Sequence, residues 1–345
     1  MKQGKTLTEL AVELERQQKS KRDFVADTRK LYMDPVSNDL EIEGIEESFP
    51  VRQFAHRQIG DRVKIPAAYY DRMPNDLRAV NVNHWLRNEP EQRMVRVLDG
   101  EARAFLSDRY RTLDNFDLAS AVLPVLGEVP EMEIVSSELT ERRMYIKALF
   151  PRITEEVKRG DIVQSGVVIS NSEIGSGALK VEPLVYRLVC LNGMISPFSQ
   201  KRYHVGKSIG EIEAAAEIFS DATKEQDDKA LWMKVVDTVR AATKEAGFKL
   251  IVDDMRRTTE MRLEADPVTV VERTTKKFAM TEGEGKSVLT HLIEGGDLSG
   301  YGLLNAITRT SQDIEDYDRA TDFERMGGQI IELNPSQWKE IAAAA

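Results

Sequence analysis

The chain has 345 residues, a formal net charge of −10, 41% apolar and 31% charged residues; this excludes a short module and a disordered polymer, and gives about two domains as a length prior. A single cysteine, Cys190, excludes an intrachain disulfide and fits a reducing compartment. The opening MKQGKTLTEL lacks the apolar run of a secretory signal, and no stretch approaches the roughly 18 apolar residues of a membrane span, so a cytoplasmic location without a membrane partner is expected.

In chain order, Lys5 to about Lys21 reads as an amphipathic helix with Leu7, Leu10, Ala11 and Leu14 on one face. A looser segment from Asp34 to Phe49 precedes helical patterns at Val51 to Val63, Ala67 to Met73 and Asn75 to Leu86, punctuated by Pro66 and Pro74. At Met94 the period changes to that of strands, and Asp99-Gly100 between two apolar runs is a hairpin signal. A helix from about Asn115 to Leu126 follows, with Pro124 shortening or kinking its last turn. Strands are expected at Met132 to Leu139 and Arg142 to Phe150, joined at Thr140-Glu141.

The stretch Gly166 to Met194 reads as a further hairpin, broken at Asn171-Ser172 and Gly175-Ser176-Gly177 and stopped by Asn192-Gly193. Pro183 calls for a free edge or a bulge, and Cys190 reads as a buried structural thiol in an apolar strand. Arg187 alone interrupts that strand, and a buried charge there requires a partner or a ligand. From Ser208, a capping residue with Glu211 three positions on, the pattern is helical. Helices are expected up to Ala246-Gly247, from Pro267 capped by Asp266 to Phe278, over Ser287 to Ile293, Leu303 to Thr310 and Asp313 to Met326, the last stopped by Gly327-Gly328. The expected architecture is α+β: an N-terminal helical segment (1–90), a core with a largely antiparallel sheet (91–207) and a C-terminal helical lobe (208–345).

His56, His84, His204 and His291 are scattered, so no metal site is expected. Gly283-Glu284-Gly285-Lys286-Ser287 imitates the end of a phosphate loop, but Met280 replaces its first glycine and no strand precedes it; a plain helix start capped by Ser287 is expected, and no cofactor. Asn171, Ser172 and Glu173 either present polar groups to a ligand or tie their own loop. The basic and aromatic residues form the most suggestive set. Arg103, Arg109, Tyr110 and Arg111 follow the first hairpin, and Lys180, Arg187, Lys201, Arg202 and Tyr203 surround the second. Cations that neutralise phosphates beside rings that stack on bases make a single-strand groove. The same residues also fit a solvated sheet face of Arg–carboxylate pairs, with Glu131, Glu133, Glu138 and Glu141 near in sequence.

The stretches AFLSDRYRTLDN, VISNSEIGSGALKVEPLVYRLVCLNGM and GYGLLNAITRTSQ, with IPAAYYDRM and AVNVNHWLRN upstream, resemble the phage/plasmid-like family known as domain of unknown function 932. The resemblance runs from about Pro50 to Trp338. It implies a protein of phages, plasmids and prophages, and supplies no catalytic residue. The leading expectation is a mobile-element protein that binds nucleic acid, single-stranded DNA first, in annealing or recombination, and that self-associates. The rivals are a metal-dependent enzyme acting on nucleotides or nucleic acid through Asp108, Glu173 and Glu182, and a phage structural or host-interaction protein.

Overall fold

The computed structural model describes residues 1–197 and 221–344, with side chains from 230 onward in the second stretch. The capping box expected at Ser208 and the residues Lys201, Arg202 and Tyr203 lie outside the described residues.

Helix α1 (Leu7–Ser20) starts at a capping box, Thr6 with Glu9, and buries Leu10 and Leu14. After it come β1 (Arg22–Asp27), β2 (Leu31–Met33), β3 (Leu40–Ile42), β4 (Ser48–Phe49), α2 (Gln53–Arg62), α3 (Ala67–Arg72) and α4 (Asn75–Asn88). The sequence reads this region as helical, and four short strands are an addition to that reading. Strands this short, carrying charges such as Arg22, Asp23, Asp27 and Glu41, leave too little alternation to read. Strands β5 (Gln92–Leu98) and β6 (Glu101–Ser107) form the hairpin expected at Asp99-Gly100, where both residues take positive φ (55° and 79°), as a tight two-residue hairpin turn requires. β5 also pairs with β1, giving the order β1-β5-β6, and β2, β3 and β4 make a second small sheet. Ile59, Val82, Leu86, Val95, Val97 and Phe105 belong to one apolar core drawn from these elements and the turns between them.

Helix α5 (Asn115–Gly127) leads into β7 (Glu133–Leu139), β8 (Met144–Lys158), β9 (Asp161–Asn171), β10 (Lys180–Arg187) and β11 (Asn192–Ile195). These strands form one antiparallel sheet, ordered β11-β10-β9-β8-β7. β8 runs past Pro151 to Lys158, its register against β9 shifting between Phe150 and Thr154, so the β8–β9 hairpin is longer than the expected strands. The expected strand through Leu191 instead stops at Arg187. Leu188 to Leu191 make the turn, Leu191 takes φ 54°, and Asn192-Gly193 opens β11 rather than ending the sheet. Composition hides this apolar turn, which Gln312 ties by donating to the carbonyls of Cys190 and Leu191. Pro183 O accepts from Ser196 N, just past the end of β11, so the missing Pro183 N–H falls where that neighbour has run out.

The C-terminal helices are α6 (Asp221–Ala242), α7 (Glu245–Glu260), α8 (Pro267–Lys277), α9 (Glu282–Gly295), α10 (Gly300–Thr310), α11 (Tyr317–Ile331) and α12 (Pro335–Ala342). The phosphate-loop look-alike lies inside α9, whose cap is Thr281 rather than Ser287. α11 continues through Gly327-Gly328 instead of stopping there, because bare backbone is needed for close approach. A Cβ at Gly328 would sit 2.0 Å from Ile195 O, and one at Gly327 2.2 Å from Thr308 Cγ2. The whole is a mixed α+β fold. One face of the large sheet (Ile146, Ala148, Val167, Ile169) packs on α1, α5 and α6; on the other, Tyr145, Val168 and Leu184 cluster with Tyr317 of α11. Among the described residues no helix is long and apolar enough to cross a membrane.

Candidate functional site

At one end of the large sheet the β7–β8 turn and the β9–β10 loop lie side by side. Arg143 Nη2 donates to Ser176 O (2.8 Å), and Ser176 Oγ donates to Arg142 O (3.1 Å). Thr140 Oγ1 holds the turn by accepting from the amides of Arg142 and Arg143. Ser172 Oγ folds the loop by accepting from Ile174 N and Ser176 N. A Cβ at Gly177 would lie 2.7 Å from Arg143 Nη2, so glycine there lets the guanidinium lie across the loop. The segment after β6 and helix α2 close the group, the first with Tyr110 Oη donating to Ser172 O (3.1 Å) and the second with Gln58 Nε2 donating to Ile174 O (2.9 Å).

The resulting rim collects cations from three connections. Arg109 and Arg111 flank Tyr110 in the first, Arg142 and Arg143 form the second, and Lys180 follows the third. Arg142 is exposed, its guanidinium 5.8 Å from the Phe54 ring centroid. Burial pushes the Lys180 amine below its ordinary pKa, with Glu182 opposing. Sequence reasoning missed Arg142 and Arg143. Their doublet is visible in the turn, but its adjacency to the 172–179 loop depends on strand pairing.

Beneath the rim lies a buried knot of charge. Arg96 is fully buried; its Nε donates to Asp23 (3.0 Å), its Nη2 to Asp114 Oδ1 (2.8 Å) and its Nη1 to Glu173 O (2.8 Å). Lys21 also pairs with Asp114, so that carboxylate does not cap α5 through its side chain. Burial opposes ionisation of Asp114, and Arg96 with Lys21 overrides it, holding the carboxyl below its ordinary value. Glu173 Oε1 accepts from Asn115 N (2.6 Å), while Oε2 lies 2.7 Å from Arg103 Nη2. Neither Nε nor Nη2 of Arg103 makes a hydrogen bond among the described residues, so the Nη2 contact with that carboxylate compensates charge without a directed hydrogen bond. Asn171 Nδ2 donates to Leu113 O and Asn115 Oδ1. Asn171, Ser172 and Glu173 are thus buried and tie their own loop, and Arg103 is engaged in an ion pair.

Arg187 stands at the opposite end of β10 from Lys180 and away from the rim. It meets Asp161 through two 2.7 Å bonds, Tyr301 Oη donates to the same carboxylate (2.9 Å), and Arg187 Nη1 approaches Cys190 Sγ at 3.1 Å. The partner its charge requires is therefore an aspartate, and Cys190 is half-buried in a turn rather than buried in a strand. On the sheet face under α11, Lys147 Nζ donates to Glu324 (2.6 Å), Arg325 Nη2 to Glu182 (2.7 Å) and Tyr145 Oη to Asp318 (2.7 Å). Asp108 is exposed on the rim, Glu173 sits in the knot and Glu182 lies under α11. Among the described residues no group of three or more His, Cys, Asp or Glu side chains converges as a metal site would need.

A model of the family described as domain of unknown function (DUF932) matches residues 104–323, more than half of the chain. No curated protein and no solved structure matches. The matched span opens inside β6 and closes inside α11, so it contains the rim and the large sheet; it is narrower than the motifs alone imply, leaving out α1 to β5. On the strength of that span, the chain belongs to the domain of unknown function 932 family.

Proposed function

We propose that this is a mobile-element protein of phage or plasmid origin that binds nucleic acid, single-stranded DNA before duplex, in annealing or recombination. The observation that carries the reading is that three connections, which bear Arg109, Arg111, Arg142, Arg143 and Lys180, are tied to one another at one end of the sheet. The rim, rather than the sheet face, is the binding surface, because helices cover both faces of the sheet. Arg142 and Lys180 meet phosphate oxygens, Arg109 and Arg111 extend the track, and Tyr110 with Phe54 offers ring surface to bases. Arg143 holds the loop in place from below.

The test is fluorescence anisotropy of a labelled single-stranded oligonucleotide over a salt series, with duplex as competitor. The reading expects affinity to fall steeply with salt and single strands to win the competition. A flat salt dependence would reject the rim as a phosphate-binding surface.

A second reading, association with another protein or another copy, is favoured by one feature: Leu188, Val189 and Leu191 are exposed at the β10–β11 turn. Light scattering of wild type against Val189→Ser/Leu191→Ser decides whether that turn mediates self-association. An unchanged mass would remove it from consideration as a self-association surface.

A further inference from the structure

The elements β1 to β6 with α2 to α4 have an apolar core of their own. Apolar packing between this N-terminal module and the rim loops is confined to a small cluster of Ala104, Leu106 and Ile174, with Phe54, Met94 and Tyr110 around it. The other fastenings are the hydrogen bond from Gln58 Nε2 to Ile174 O and the buried charge of the Arg96 knot.

A buried ion network is a poor route to stability, since well-packed apolar side chains of similar volume serve as well or better. Its distinguishing property is directional. Arg96 stands on the central strand of the β1-β5-β6 sheet and distributes its donors over Asp23 on β1, Asp114 just before α5, and the Glu173 carbonyl in the β9–β10 loop. Asp114 ends the segment that carries Arg109, Tyr110 and Arg111, and Glu173 begins the loop that Arg143 crosses. One guanidinium therefore fixes both rim connections to the module. Glu173 reinforces the joint with its carboxylate, through Asn115 N and Arg103.

We infer that Arg96 is a positioning residue, through which the N-terminal module sets the arrangement of the 107–114 and 172–179 connections. The consequence for phosphate binding rests on the nucleic-acid reading; the mechanical coupling does not. Lysine at 96 keeps the charge but lacks the rigid planar fork that serves three acceptors together.

The test uses full-length Arg96→Lys and, as a milder change at the partly exposed edge of the knot, Asp23→Asn. Backbone hydrogen exchange is compared with wild type. Faster exchange confined to 107–114 and 172–179, with the central β8 and β9 amides unchanged, is the expected result. Unchanged exchange in both connections, or a uniform rise across the sheet, would overturn the inference, because the latter marks general loss of stability. Should Arg96→Lys fail to fold, Asp23→Asn decides by the same criterion. In the anisotropy assay, a rim that spends a tenth of its time in the competent arrangement binds about tenfold more weakly, with the salt slope unchanged. If wild type binds no oligonucleotide, the nucleic-acid reading fails while the exchange comparison still decides the coupling.

Discussion

Lys147 and Glu324 are both withdrawn completely from water, and Glu324 Oε1 has no hydrogen-bond partner among the described residues. Burial drives the Lys147 pKa down and Glu324 pulls it back up, so the charges depend on each other. Replacing either one alone strands its partner: Lys147→Met or Glu324→Leu is expected to cost about 3–5 kcal/mol in urea unfolding, and the double variant much less than the sum. Additive costs would show that the two charges do not interact. His56 gives a pH signature. Burial, helped by Arg78 and opposed by Asp71, pushes its pKa down to about 4, and its Nδ1 lies 3.0 Å from Tyr70 Oη. The unfolded chain accepts that proton near 6.5, the folded site only near 4, so this contribution to stability is complete above pH 6.5 and lost as pH falls toward 4. The loss reaches up to about 3 kcal/mol, and His56→Gln is expected to remove it from the pH profile; an identical acid slope in that variant would contradict the assignment. At this scale the sequence announces needs better than partners. A charge in an apolar strand at Arg187 requires compensation, but Asp161 becomes its neighbour only once β9 and β10 pair.

Among elements, α11 shows how a local signal is overridden. Two consecutive glycines ordinarily end a helix, because glycine gains the most from leaving it; here they let α11 approach β11 and α10 closely. Gly328→Ala places a methyl against the Ile195 carbonyl and is expected to destabilise by about 1–3 kcal/mol despite the better helix propensity of alanine. A rise in thermal midpoint would show that the close approach relaxes without cost. Elements with strong local chemistry were legible: Asp266 caps the helix that starts at Pro267, as expected, and the Asp99-Gly100 turn has both residues at positive φ. The β10–β11 turn was not, since Leu188-Val189-Cys190-Leu191 has the composition of a strand and is held by Gln312 from outside the sheet.

For the molecule as a whole, the sheet is a scaffold rather than a surface. Its faces are covered by α5 and α6 on one side and by α11 on the other, and its connections at one end carry the exposed chemistry. The α+β architecture could be read from the order of strand and helix periods, and part of the rim from SDRYR and the Gly175-Ser176-Gly177 loop. The division of the cations could not: Arg103 and Arg187 meet buried carboxylates, while Arg142 is exposed at the rim and Lys180 is half-buried beside Glu182. The most direct measurement is single-stranded oligonucleotide affinity of Arg142→Ala/Lys180→Ala beside wild type over the same salt range. The account predicts weaker binding at low salt and a slope shallower by about 1.4, roughly 0.7 for each phosphate left without its cation, with the unfolding transition unchanged. Equal affinity and slope in the two proteins, or no binding by wild type at low salt, would contradict it.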